Sequence, residues 1–83
     1  PLSQWDKLIA AILAEDRSLR FEDLKKALLR MGYTAEQPRG GSSHYTFRKP
    51  SCMPITVPKH QPLNRVYIEL VAEAVKRYLE ETP

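Results

Sequence analysis

The sequence has a single cysteine, Cys52, among its 83 residues. One cysteine cannot form an intramolecular disulfide, which agrees with a reducing compartment. One cysteine and two histidines, without the spacing of metal ligands, also predict no zinc site. These counts predict a protein without an intramolecular disulfide or a zinc site, and we expect no cofactor.

Long apolar runs are also lacking. No run approaches the roughly 18 residues that a membrane span needs, and the first residues do not follow the charged, apolar and small-residue order of a secretory leader. The apolar and charged fractions, 42% and 28%, are ordinary for a globular protein. These observations predict one small domain, residues 1–83, that lies in the cytoplasm and has no membrane partner.

Acidic residues are absent from the middle of the chain, between Gln37 and Ile68. All ten Asp and Glu residues lie outside this window, although the net charge is only +3. The window holds both histidines and the cations Arg39, Arg48, Lys49, Lys59 and Arg65. A polyanion such as RNA responds to local charge, so the window is a candidate nucleic-acid surface. A solvated basic surface without a partner explains the charge equally well.

Three segments have apolar residues at helical spacing. The first begins after Ser3, a candidate N-cap with Asp6 in a capping-box position, and the second covers about Phe21–Met31. The third covers about Asn64–Glu81, with Asn64 as a candidate cap. Its predicted buried stripe consists of Tyr67, Leu70, Val71, Ala74, Val75, Tyr78 and Leu79.

Three short strands are predicted between the second and third helices: Tyr33–Gln37, Ser43–Arg48 and Met53–Val57. In the last of these, Met53 should share the buried face, whereas Pro54 indicates an edge of the sheet. The order helix, helix, strand, strand, strand, helix predicts an α+β two-layer sandwich. Its three-stranded antiparallel sheet should be covered by helices on one face.

The middle strand decides which side chains face solvent. Tyr45 and Phe47 alternate with His44, Thr46 and Arg48. If the two aromatic residues pack against the helices, the other three face water. His44 is then not a core histidine, and it is either a merely exposed residue or a functional one.

The residues around His44 have the chemistry to hold and cut a phosphodiester. The segment Gly40–Ser43 precedes His44, and N–H groups in such a glycine loop can bind an anion. Arg39 and Arg48 can each donate two hydrogen bonds to a phosphate, and Lys49 adds positive charge. A histidine beside a ribose 2′-OH can act as a general base, so that the freed oxygen attacks the adjacent phosphorus. Most sequences that combine glycine, serine and histidine in this way have no catalytic function. These residue types alone are therefore weak evidence for a nuclease site.

The stretch GSSHYTF, Gly41–Phe47, resembles the Gly-Ser-(His/Asn)-His signature and following strand of HicA toxins, which are mRNA interferases of bacterial toxin–antitoxin modules. FEDLKKALLRMGY, Phe21–Tyr33, resembles the helix and glycine before the first strand of that family. ITVPKH, Ile55–His60, resembles its third strand and the following loop. Order and spacing agree across all three stretches.

The resemblance covers about Arg20–Leu79. It divides the chain into an extra N-terminal helix and loop, residues 1–18, and the family core, residues 19–83. One position departs from the family pattern: many members have a second histidine directly before the catalytic one, where this chain has Ser43. Other members have a small polar residue there, so the departure is compatible with activity.

The resemblance implies a fold like the double-stranded-RNA-binding domain, cleavage of mRNA without a metal ion, a bacterial cytoplasmic location and a HicB-type antitoxin as partner. It makes His44 the catalytic general base. His60 matches a histidine that is frequent in the family, and two roles stay open for it: protonating the leaving 5′ oxygen, or only binding phosphate. In the same interpretation, the RNA-binding residues Gly41, Ser42 and Arg48 position the phosphate, and Arg39, Lys49 and Lys59 are electrostatic contacts.

Two other functions fit the same residues. A non-catalytic RNA-binding module would contact the phosphates and 2′-OH groups of A-form RNA and would need no reactive histidine. An interaction domain, or an inactive toxin kept for antitoxin binding and repression, would not need to cleave RNA at all. Whether the purified protein shortens RNA or only retards it in a gel separates the nuclease from the binding module.

Overall fold

The computed structural model describes residues 2–37, 39–40 and 43–81. Its helices are α1 (Gln4–Leu13), α2 (Phe21–Arg30) and α3 (Arg65–Glu81), and its strands are β1 (Thr34–Glu36), β2 (His44–Arg48) and β3 (Ile55–Pro58). The order α-α-β-β-β-α and the three-stranded antiparallel sheet confirm the predicted α+β fold class.

The sheet has the order β1–β2–β3, so β2 pairs with a neighbour on each side. Phe47 lies opposite Ala35 on β1 and Ile55 on β3. His44, the first residue of β2, lies opposite Pro58, the last residue of β3. The chain that leaves β3 therefore starts beside His44.

The helices cover one face of the sheet, with α2 against β1, α3 against β3 and α1 on α2 and α3. The largest fully buried side chains of the core are those of Ile12, Leu24, Leu28, Phe47, Val57, Ile68, Val71 and Val75. On the opposite face of β2, His44 and Arg48 are exposed and Thr46 is half-buried. The alternation predicted for the middle strand is thus confirmed.

The predicted burial of Met53 is wrong. The side chain is 76% exposed, because β3 begins only at Ile55 and the alternation does not extend back through Pro54. Proline lacks the N–H that a strand needs for pairing, so the sequence before Ile55 is a connection rather than a strand.

The buried face of α3 differs from its predicted stripe. Leu70 and Leu79 are exposed, whereas Ile68 and Ala72 are buried. Apolar residues occur on more than one face of α3, so their spacing predicts a helix but does not identify the face that contacts the sheet. None of the described helices is long and apolar enough to cross a membrane.

Asn64 caps α3, as predicted: its Oδ1 accepts a hydrogen bond from the Val66 N–H at 3.0 Å. Asn64→Ala should lower the free energy of unfolding by about 1 kcal/mol, because the Val66 N–H loses this acceptor. Urea unfolding measures the change, and Asn64→Asp is the matched control because aspartate keeps an acceptor oxygen. An equal loss in both variants would contradict the capping role.

Candidate functional site

The two histidines lie next to each other at one end of the sheet. Their ring centroids are 6.3 Å apart, and the ring planes meet at 80°. The Lys59 N–H donates to the Ser43 carbonyl oxygen at 2.8 Å, which continues the pairing of β2 and β3 beyond the strands. This bond holds the segment with His60 beside His44. Both histidines are exposed, so a ligand can reach them from solvent.

A pocket of about 360 Å³ opens beside His60. Its lining consists of Arg20, Phe21 and Glu22 at the start of α2 and of Lys59, His60 and Gln61 after β3. The Glu22 Oε1 lies 3.7 Å from the Lys59 Nζ, so an ion pair joins the two sides. Phe21 is buried, and its ring centroid lies 5.0 Å from that of Tyr45. This aromatic contact fixes the first turn of α2 against β2.

The basic window of the sequence has acidic neighbours in the folded chain. The Arg48 Nε lies 2.8 Å from the Glu36 Oε1, and an Arg65 nitrogen lies 3.3 Å from the Glu15 Oε1. Arg48 and Glu36 are each 56% exposed, and such exposed pairs contribute about 0–1 kcal/mol. The pair is therefore weak enough for Arg48 to exchange its carboxylate for a phosphate, but the surface is less positive than the sequence predicts.

The predicted phosphate contacts of the β1–β2 loop and of β2 differ in their distance from His44. Arg39 is exposed in that loop, at the same end of the sheet as His44. Arg48 lies at the other end of β2, four residues or roughly 14 Å along the strand. Gly41 and Ser42 lie outside the described residues. The RNA-binding roles of these four residues stay predictions.

Lys49, another predicted phosphate contact, does not lie beside His44. Its Nζ lies 5.6 Å from the ring centroid of Tyr33 and 5.1 Å from that of Tyr78. Tyr78 belongs to α3, so Lys49 lies on the helix-covered side of the sheet. Burial, and secondarily the nearby Cys52 thiol, raise the pKa of the Tyr33 phenol. The phenol stays neutral at pH 7, and it offers Lys49 a ring face rather than a charge.

The position of Arg20 and Glu22 beside His60 does not follow from the sequence. Both residues precede His60 by a long stretch of chain, and no local pattern connects the two segments. The one available signal was Phe21, a large aromatic residue that the core buries at the very start of α2. A buried residue there holds its exposed neighbours against the sheet.

The described part of the chain contains no candidate metal centre. There, no three His, Cys, Asp or Glu side chains lie together in a way that could hold a metal ion. The side chains at the described site supply imidazole, ammonium, guanidinium and carboxylate groups.

No protein-family model, no curated protein and no solved structure matches the chain. The family resemblance therefore depends on the sequence stretches quoted above, and the chemistry of the site depends on its geometry.

Proposed function

We propose that the protein is a HicA-type toxin, an endoribonuclease that cuts mRNA without a metal ion. The observation that carries the proposal is the pair of exposed imidazoles, His44 and His60, with ring centroids 6.3 Å apart. A hydrogen bond from a ring nitrogen spans about 3 Å. A single phosphodiester between the two rings can therefore form a hydrogen bond with each of them. Cleavage through the ribose 2′-OH needs one group that accepts a proton and one that donates a proton, and imidazole does both near neutral pH.

In the proposed reaction, His44 takes the proton of the ribose 2′-OH, and the 2′ oxygen attacks the adjacent phosphorus. The bond between phosphorus and the 5′ oxygen breaks, and the departing oxygen receives a proton from the His60 imidazolium. One fragment then ends in a 2′,3′-cyclic phosphate, and the other begins with a 5′-hydroxyl. The two histidines finish with exchanged protonation states, which proton exchange with water restores.

Positive charge near the phosphate would come from Lys59 and Arg39. Lys59 and Glu22 have side chains that are 55% and 65% exposed, so little free energy is lost when Lys59 turns from the carboxylate to a phosphate. Cations at this position stabilise the negative charge that develops on the phosphate oxygens in the transition state. The phosphate contacts predicted for Gly41 and Ser42 belong to the proposal as well, although these two residues lie outside the described part of the chain.

The resemblance to HicA toxins supports the rest of the proposal. It adds a likeness to the double-stranded-RNA-binding fold, a bacterial cytoplasmic location and a HicB-type antitoxin as partner. An antitoxin that blocks cleavage would have to cover the end of the sheet where the two histidines lie.

Metal-independent cleavage is tested with the purified protein and an mRNA transcript in excess EDTA. We expect the transcript to be shortened on a denaturing gel at the same rate in EDTA and in Mg²⁺, because both proton transfers use imidazole. Cleavage that disappears in EDTA and returns with Mg²⁺ would contradict the proposal. Retardation on a native gel without shortening would instead favour the non-catalytic RNA-binding module.

A further inference from the structure

The pocket beside His60 contains a carboxylate that the proposed cleavage does not use. Glu22 lines this pocket together with the cations Arg20 and Lys59. A carboxylate repels phosphate, so a pocket that held only the RNA backbone would be expected to contain cations alone. The presence of Glu22 therefore points to a ligand group that donates hydrogen bonds.

Glu22 is not needed to cap α2. Asp23 does this, because its Oδ2 accepts a hydrogen bond from the Arg20 N–H at 2.9 Å. The ion pair of Glu22 with Lys59 spans 3.7 Å, which is longer than a hydrogen bond. A carboxylate accepts hydrogen bonds on two oxygens with about four lone pairs. The Glu22 carboxylate therefore keeps acceptor capacity for a ligand in the pocket.

The size and lining of the pocket suit a planar heterocycle. A volume of about 360 Å³ is at the lower end of the range of small-ligand pockets. Arg20 supplies a guanidinium plane on which a base can stack, and Gln61 supplies an amide that donates or accepts a hydrogen bond. His60 borders the pocket, so a base bound there belongs to a nucleotide next to the phosphate between the two histidines.

We propose that this pocket is a nucleobase subsite of the ribonuclease, and that Glu22 makes it prefer guanine beside the scissile phosphate. The Watson–Crick edge of guanine carries two adjacent donors, the N1–H and the N2 amino group, and one carboxylate accepts from both. Adenine and cytosine have a donor beside an acceptor, and uracil has a single donor between two acceptors. This subsite rests on the proposed ribonuclease function, because it is defined by the phosphate that His44 and His60 contact.

The preference is measured on an RNA pool of random sequence that is cut by the purified protein in EDTA. Sequencing of the fragment ends gives the base frequencies on either side of each cut. We expect guanine to be enriched about tenfold at one of the two flanking positions. Glu22→Gln should remove this enrichment, because the amide nitrogen then faces the donors of guanine.

Glu73→Gln is the matched control, since it removes the same charge from an exposed helix position. Glu73 pairs with Lys76 at 3.1 Å and does not line the pocket, so its variant should keep the guanine enrichment. Cuts without guanine enrichment, or an enrichment that survives Glu22→Gln, would overturn the subsite and leave the ribonuclease function standing. A pool that stays uncut would contradict the ribonuclease function itself, and the subsite with it.

Discussion

Replacing His44 with alanine should abolish RNA cleavage and growth arrest while the protein stays folded. Without this imidazole, the 2′-OH proton has no base at the start of β2, and a positioned general base contributes roughly 10²–10⁴-fold to a rate. Cleavage should therefore fall by at least about 10²-fold. His44 is exposed, so the free energy of unfolding should change far less than it would for a substitution in the core.

Paired induction of the wild type and His44→Ala in a heterologous bacterium measures growth and transcript integrity. Thr46→Ala is the control from the same open sheet face: the Thr46 hydroxyl lies 3.2 Å from that of Thr56 and has no part in the proposed reaction. Equal protein levels and similar thermal unfolding midpoints for the wild type and both variants would show that the fold is retained. If His44→Ala stayed fully toxic at equal expression, the assignment of His44 as the base would be wrong.

Removing the imidazole of His60 should slow RNA cleavage by roughly 10²–10⁴-fold, because the 5′ oxygen would leave without a proton. A leaving group that is stable as an anion does not need that proton. His60→Ala should therefore cleave uridine 3′-(p-nitrophenyl phosphate) at close to the wild-type rate. His44→Ala should fail on this substrate as well, because the 2′-OH still has to lose its proton.

The comparison of these two substrates separates the two roles that the sequence leaves open for His60. If His60 only bound phosphate, His60→Ala would lose activity equally on RNA and on the nitrophenyl ester. Release of nitrophenolate, followed by absorbance, and RNA shortening on gels give the two rates. An unchanged rate on RNA would contradict both roles of His60.

The fold could be predicted from the sequence wherever a local period decides the structure. The alternation of Tyr45 and Phe47 with polar residues identified both β2 and the face of β2 that the helices cover. The same reasoning was wrong for Met53. Side chains alternate between the two faces of a sheet only within a strand, and β3 does not begin until Ile55. On α3, Leu70 fits the helical spacing, but it lies outside the face that the sheet and α1 bury.

The candidate site could be predicted only in part. The proximity of His60 to His44 depends on the register of one hairpin, since Pro58 lies opposite His44 and His60 is two residues further along. The contact of Glu22 with Lys59 depends instead on how α2 packs against the sheet. A charge count along the sequence cannot show such a contact, because it joins segments that are distant in the chain.

The proposed mechanism is tested most directly by the chemical ends of the RNA fragments that the purified wild-type protein produces in EDTA. Mass spectrometry should find a 2′,3′-cyclic phosphate, or the monophosphate formed by its hydrolysis, on one side of each cut and a 5′-hydroxyl on the other. These ends follow from attack by the 2′ oxygen and protonation of the leaving 5′ oxygen. Fragments with a 5′-phosphate and a 3′-hydroxyl, or RNA that remains intact, would contradict the mechanism.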